Sequence, residues 1–315
     1  MRLRVRMAAF VVILAALTGG CQTGNGEDET PPDGVSPFTG EEAEAGPVLA
    51  VKIDNVERAR PHTGLEDADL VYVEPVESGL TRLLVVFSGS LPETAGPVRS
   101  ARESDLELLR QFGRPALAYS GAQSALQPLI DEAPLYAVPP DRASAAYERS
   151  GDRPAPHNLY LRPDALLLAA PEASEAADIG LRFGDAPDGG TETSEYTVTY
   201  QAASYDFGWS GEDGRWLVSM DGTEAVTTGG ERLSAATVVV QQVQIRPSAF
   251  QDRSGNITPY TQTIGSGEAL VLRDGQAHEA RWSRSAADGG TTFTTADGDP
   301  LPFATGPVWF LFTDS

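Results

Sequence analysis

Asp-Gly pairs, among them Asp213-Gly214, Asp221-Gly222, Asp274-Gly275 and Asp297-Gly298, punctuate the last third of this chain. An Asp-Gly pair accommodates the left-handed backbone of a two-residue hairpin turn, so the pairs predict antiparallel hairpins. The runs between them fit strands: residues 196–200, 216–220, 237–245, 269–273 and 278–282, closed by VWFLF at 308–312. All four tryptophans (Trp209, Trp216, Trp282 and Trp309) fall in this part and are expected in the core or on hairpin faces.

Upstream, strands and helices mix. PVLAVKIDN (47–55), DLVYVEPVE (69–77) and TRLLVVFS (81–88) predict buried strands, the last two joined by a turn at Ser78-Gly79. SARESDLELLRQF (100–112) predicts a helix: Ser100 and Glu103 have capping-box spacing, and Leu106, Leu109 and Phe112 form an apolar stripe. Residues 116–120 predict a strand, 124–130 and 163–170 helices, and the Gly- and acid-rich 186–194 a linker. The expectation is an α+β protein: a mixed-sheet domain with flanking helices over 46–185 and a β-rich domain over 195–315.

The first 21 residues address the compartment. Arg2, Arg4 and Arg6 precede an uncharged apolar run, then Thr18-Gly19-Gly20 and Cys21. That order predicts a signal peptide over 1–20, with an apolar run too short to remain as a membrane span. Cys21 is the only cysteine, so it has no internal disulfide partner. Its position predicts lipidation there and a membrane-anchored protein on the extracytoplasmic face, although Thr18 stands where such sites usually carry Leu. Residues 21–45, polar and rich in Gly, Pro, Asp and Glu, are expected to be a disordered tether.

The formal charge of −22 argues against nucleic-acid binding, because phosphate backbones attract cations. Against that acidity, three stretches set polar groups beside apolar strands. Asp54, Asn55 and Arg60 follow the first strand, Glu74, Glu77 and Arg82 flank the Ser78-Gly79 turn, and Arg99, Ser100 and Arg102 lead into the expected helix. A helix start favours anions, and two guanidinium forks bracketing it would clamp a carboxylate or phosphate. The competing reading pairs these arginines with Glu74, Glu77 and Asp54 as structural ion pairs. His157 and Asn158, after a Pro-rich turn, are a further polar pair, with Glu74 and His157 the candidates for acid–base catalysis. Ser100 lacks the glycine-flanked elbow of a hydrolase serine. His62, His157 and His278 lack metal-ligand spacing, so neither metal nor cofactor is expected.

VKIDNVERARPHTGLEDADLVYVEPVESGLTR, GPVRSAR and APHNLY, in this order, resemble the YerB-type bacterial lipoproteins, the family of domain of unknown function 3048. SPFTG at 36–40 is similar to the family's usual start of its first domain, and GSGEALVLRDGQAHEARWSR and GPVWFLF are similar to its second half. The matching residues are Asp54, Asn55, Arg60, Glu74, Arg82, Arg99, Ser100, Arg102, His157 and Asn158. His62 stands where the resemblance implies Gln, and Ser78 where it implies Gly. The resemblance implies a two-domain envelope lipoprotein and does not by itself imply an activity. Two functions are then expected: a binding or accessory protein for an anionic cell-wall polymer or an envelope partner, or an envelope hydrolase or transferase.

Overall fold

The computed structural model describes residues 34–315; the expected signal segment, Cys21 and the tether up to residue 33 lie outside them. The apolar runs of the first half form adjacent antiparallel strands β1 (Leu49–Asp54), β2 (Leu70–Pro75) and β3 (Thr81–Phe87), in the order β2-β3-β1. They read as unbroken apolar runs because the sheet is covered on both faces. A 3-10 turn, Glu77–Gly79, joins β2 to β3, with Ser78 at φ 63°. A side chain at this left-handed position costs about 1–2 kcal/mol relative to glycine, which accounts for the glycine expected there. β4 (Ala116–Ala118) and β5 (Tyr136–Ala137) continue the sheet in parallel beyond β1.

At the opposite side, the closing strand Val308–Asp314 lies parallel to β2 and also parallel to the long strand Thr237–Gln251. Gly265–Arg273, Gln276–Arg284 and Thr292–Thr294 follow outward. Strands from both halves of the sequence thus share one mixed sheet of twelve strands. Strands hold 43% of the described residues and helices 12%, so the α+β class is weighted towards β.

A smaller antiparallel sheet, Glu195–Tyr200, Ala203–Ser210 and Arg215–Met220, packs on one face. Its Tyr205, Phe207, Trp216 and Val218 share a core with Val71, Val73 and Trp309. The other face carries the helix α1 (Glu103–Leu109), where Leu108 and Phe112 join Ala50, Tyr72 and Phe310. Two of the Asp-Gly pairs form hairpin turns with both residues left-handed: Asp221 (φ 54°) with Gly222 (φ 72°), and Asp274 (φ 49°) with Gly275 (φ 71°).

Three expectations are corrected. α1 begins at Glu103 rather than at 100, because the Asp105 carboxylate, not that of Glu103, accepts the N–H at the helix start, from Arg102 (2.6 Å). Residues 99–101 instead run extended: Arg99 N–H donates to the Lys52 carbonyl (2.7 Å) and Ala101 N–H to that of Gly121 (3.1 Å). The long strand continues to Gln251 instead of 245, pairing with Ile257–Gln262 across a register shift between Pro247 and Gln251. Order also begins inside the stretch expected as tether: Ser36, Phe38 and Thr39 are buried, and Phe38 meets the Phe112 ring edge-on at 5.4 Å.

Candidate functional site

Glu74 on β2, Arg82 on β3 and Asp54 on β1 stand in one cross-strand row. Alternation places them on the face covered by α1, with Tyr72 and Leu84. Arg82 sits between the two carboxylates and bonds to neither. Glu74 turns to the buried Lys52. Asp54 Oδ2 is taken by Arg99 Nε at 2.9 Å and His157 Nδ1 at 2.7 Å. Arg82 Nη1 donates to the Ser100 carbonyl (3.0 Å), and among the described residues no carboxylate forms an ion pair with it. Burial first, then the like charges of Arg102 and Arg99, disfavours its ionised form. A guanidinium nevertheless keeps its proton near neutrality. Arg82, 8% exposed, is therefore a buried cation that no carboxylate among the described residues meets in a direct ion pair, the charges of Glu77 and Asp54 favouring its ionised form only from farther away.

Arg102 is held differently. Its Nε and Nη2 donate to Glu77 Oε1 (2.7 Å) and Oε2 (2.8 Å), a bidentate pair. Thr258 Oγ1, from the second half of the chain, donates to the same Glu77 Oε1 at 2.5 Å. Burial alone would raise the Glu77 pKa; the hydrogen bonds from Arg102 and Thr258, with the Arg102 charge, hold it below the usual range.

These groups line an open cavity of about 570 Å³. Its walls come from the end of β1, the β2–β3 turn, the extended run before α1, the loop after β4 and the hairpin tip around Asp252 and Arg253. The carboxyl ends of parallel β1 and β4 therefore open into it, where mixed sheets commonly hold ligands. Five arginines reach the wall: Arg82, Arg99, Arg102, Arg149 and Arg253. Four carboxylates oppose them, Asp54, Glu77, Glu103 and Asp252, of which Asp54 and Glu77 are already engaged by Arg99 and Arg102. Buried atoms at the wall also lack hydrogen bonds: Gln123 Oε1, Glu103 Oε2 and Arg99 Nε, whose approach to Asp54 is close but poorly aligned.

The residues singled out in the sequence divide. Asp54, Arg82, Arg99, Ser100 and Arg102 line the cavity together. Ser100 does so from extended backbone and not as a helix cap. His157 stands behind Asp54. Asn158 accepts from Arg149 Nη1 (2.9 Å) and donates to the Ser150 carbonyl (2.7 Å), which positions Arg149. Asn55 and Arg60 lie elsewhere: Asn55 Nδ2 donates to Thr81 Oγ1 (3.2 Å) and to Tyr205 Oη, and Arg60 joins Asn55 Oδ1 (3.1 Å) to Asp221 Oδ2 (2.8 Å). They tie β1 to the smaller sheet. Glu74, 2% exposed, is sealed beneath the cavity against Lys52. Sequence reasoning missed Arg149, Arg253 and Thr258, which sit in loops and a hairpin without a local pattern, and Lys52, hidden in an apolar run. Among the described residues no group of three or more His, Cys, Asp or Glu side chains could hold a metal, and no helix is long and apolar enough to cross a membrane.

Comparison with known proteins gives a consistent outcome. Residues 34–176 match the N-terminal domain of a protein family of unknown function, DUF3048, and residues 196–310 match its C-terminal domain. A Bacillus subtilis (strain 168) protein named "Putative lipoprotein YerB" is 27% identical over 272 residues, 83% of this chain and 79% of that protein. The crystal structure of the YerB protein from Bacillus subtilis superposes with a TM-score of 0.78 at 23% identity, covering 89% of this chain and 97% of the other, a likeness of fold. The two matched regions meet in the cavity, Arg82 and Arg99 from the first and Arg253 and Thr258 from the second.

Proposed function

This chain belongs to the DUF3048 family, and from that premise we propose that it is a lipid-anchored binding protein of the cell envelope whose arginine cavity takes an anionic ligand. Arg82 carries the reading: a buried guanidinium at a cavity wall, crowded by Arg99 and Arg102 and without an ion-pair partner among the described residues. An entering carboxylate or phosphate would supply the missing counter-charge, and a guanidinium can bind either in bidentate fashion. Such groups occur on wall peptides, on anionic envelope polymers and on acidic segments of partner proteins. Cys21 behind its apolar run, together with the lipoprotein name of the Bacillus subtilis relative, supports anchoring on the extracytoplasmic face. The hydrolase or transferase alternative has less to draw on, since Glu74 is sealed against Lys52 and His157 stands behind Asp54.

The test is a thermal-shift series with inorganic phosphate, succinate and a muropeptide on the wild type and on Arg82→Met. Methionine keeps much of the arginine's length and removes its charge, so the ligand-free variant should melt at the same temperature or higher. The ligand-induced shift should disappear. A shift of equal size in the variant refutes the assignment of Arg82, and no shift of the wild type with any of the three refutes the anion reading.

A further inference from the structure

Between the main sheet and α1 lies a second polar cluster, separate from the cavity. Lys52 on β1 is 0% exposed, Asp105 on α1 0% and Glu74 on β2 2%. Lys52 Nζ lies 2.7 Å from Asp105 Oδ1 and also contacts Glu74 Oε2. The other Asp105 oxygen, Oδ2, accepts the Arg102 N–H at 2.6 Å. The other Glu74 oxygen, Oε1, is buried and has no hydrogen-bond partner. The site therefore holds an amine, a carboxyl whose far oxygen is gripped by a backbone donor, and a second carboxyl with a vacant oxygen.

The choice of lysine is itself informative. Lys52 is the only lysine in the chain; every other basic side chain among the 23 is arginine. Arginine suits buried ion pairs, being the more weakly hydrated cation, but it does not give up its proton to become a nucleophile. Lysine does so readily once desolvated. Charge adds a second constraint. Two carboxylates and one ammonium cannot all remain ionised in a sealed site without leaving a net negative charge. Burial first, with Asp105 adding to it and Lys52 opposing, raises the Glu74 pKa, so the cluster retains an extra proton.

We propose that Lys52 and Asp105 become joined by an amide bond inside the folded protein, with Glu74 relaying the protons. The ammonium proton passes to a carboxylate of the cluster, leaving a neutral amine facing two carboxylic acids. Lys52 Nζ then attacks Asp105 Cγ with its lone pair, and the oxygen that becomes negative is Oδ2, already facing the Arg102 N–H. Glu74 accepts the proton released by the attacking nitrogen and returns one to the departing Oδ1 hydroxyl. The C–N bond forms, the C–Oδ1 bond breaks, one water leaves and Glu74 ends as it began. No oxidant, cofactor or external activating reagent enters the balance, since Glu74 alone protonates the leaving hydroxyl. Fixed proximity replaces a bimolecular encounter, and the dry site replaces buried charges with a neutral amide. The remaining amide oxygen keeps the hydrogen bond to the start of α1.

The experiment is peptide mass spectrometry of the full chain, denatured and digested with trypsin. The peptide Glu103–Arg110, released by cleavage after Arg102 and Arg110, should appear only joined through Asp105 to the peptide carrying Lys52. The joined species should weigh one water less than the sum of the two. No cleavage should occur after Lys52, and an amine-reactive reagent should fail to label it even in denaturant. In Glu74→Gln the free Glu103–Arg110 peptide should return. A wild-type digest containing free Glu103–Arg110 and cleavage after Lys52 overturns the proposal and leaves an ordinary buried ion cluster. A link from Lys52 to Glu74 instead of Asp105 overturns the assignment, and a link that persists in Glu74→Gln overturns the relay. The wild-type digest decides the bond itself even where that variant does not fold.

Discussion

Phe38 offers a direct test of where the folded body begins. It is fully buried, sits in the core beneath α1 and meets Phe112 edge-on at 5.4 Å. Phe38→Ala deletes the whole ring from this site, and the backbone around it is fixed by a turn in which Gly40 N–H donates to the Ser36 carbonyl (2.9 Å). With little scope for collapse, the expected cost is about 3–5 kcal/mol, the usual range for a buried Phe replaced by Ala. For a body of this size that corresponds to a melting point lower by roughly 10 °C. Phe38→Leu, which refills most of the space, should lose much less, and starting the chain at Gly46 should cost at least as much as Phe38→Ala. Urea midpoints and thermal melts on the three variants make the comparison. If Phe38→Ala melts within about 2 °C of the wild type, the segment is a loosely attached tether and the reasoning fails.

Two further perturbations follow from the site's surroundings. His62 is buried with Nε2 on the Asp54 carbonyl (2.8 Å), and burial pushes its pKa down to about 4 from the ordinary 6.5. The unfolded chain therefore binds the extra proton between those values, so stability is complete above about pH 6.5 and is lost on acidification towards pH 4. By pH 5 this loss amounts to about 2 kcal/mol. His62→Gln should flatten that part of the pH profile of the urea midpoint, and parallel profiles for the two proteins would refute it. Tyr205→Phe removes the hydroxyl that meets Thr81 Oγ1 (2.7 Å) and the Asn55 amide, leaving polar groups short of partners in a sealed place. The cost should be about 1–3 kcal/mol by urea denaturation, and a change within about 0.5 kcal/mol counts against the network.

What could be read in advance was whatever is encoded locally. β1, β2 and β3 announce themselves because burial on both faces demands continuous apolar runs, and the Asp-Gly turns at 221–222 and 274–275 because few other dipeptides accept two left-handed residues. The helix start was misplaced because Glu103 and Asp105 are both acidic, and the choice between them depends on Lys52, which holds Asp105 in place from the opposite side. Composition hides Phe38, because one aromatic hardly changes a polar stretch, and only the resemblance of SPFTG at 36–40 points to order there. Asp54 and Arg82 were legible as charges at the ends of apolar strands, and Arg99 and Arg102 as charges leading into the expected helix. Nothing local indicates that Arg82 lacks a partner while its neighbours have theirs. That outcome depends on Glu74 turning to Lys52 and Asp54 to His157, pairings made across long stretches of sequence. Thr258 and Arg253 reach the cavity only because the long strand extends six residues past its apolar part, with Pro247 breaking the sequence signal along the way.

The closing strand Val308–Asp314 is bordered on both sides by parallel partners, β2 before it and Thr237–Gln251 beyond it. Ribosomes deliver those partners before this segment, so until it emerges the described residues of the two halves share no backbone ladder, only isolated bonds such as Thr228 N–H to the His62 carbonyl (2.8 Å). A product cut short before Val308 would expose two unpaired sheet edges and the apolar surface meant for Trp309, Phe310 and Leu311, an invitation to proteases and aggregation. For gene engineering it follows that the sequence between the two family regions is a poor place to divide the protein. Supplying the halves as separate chains should yield soluble material only when they are produced together.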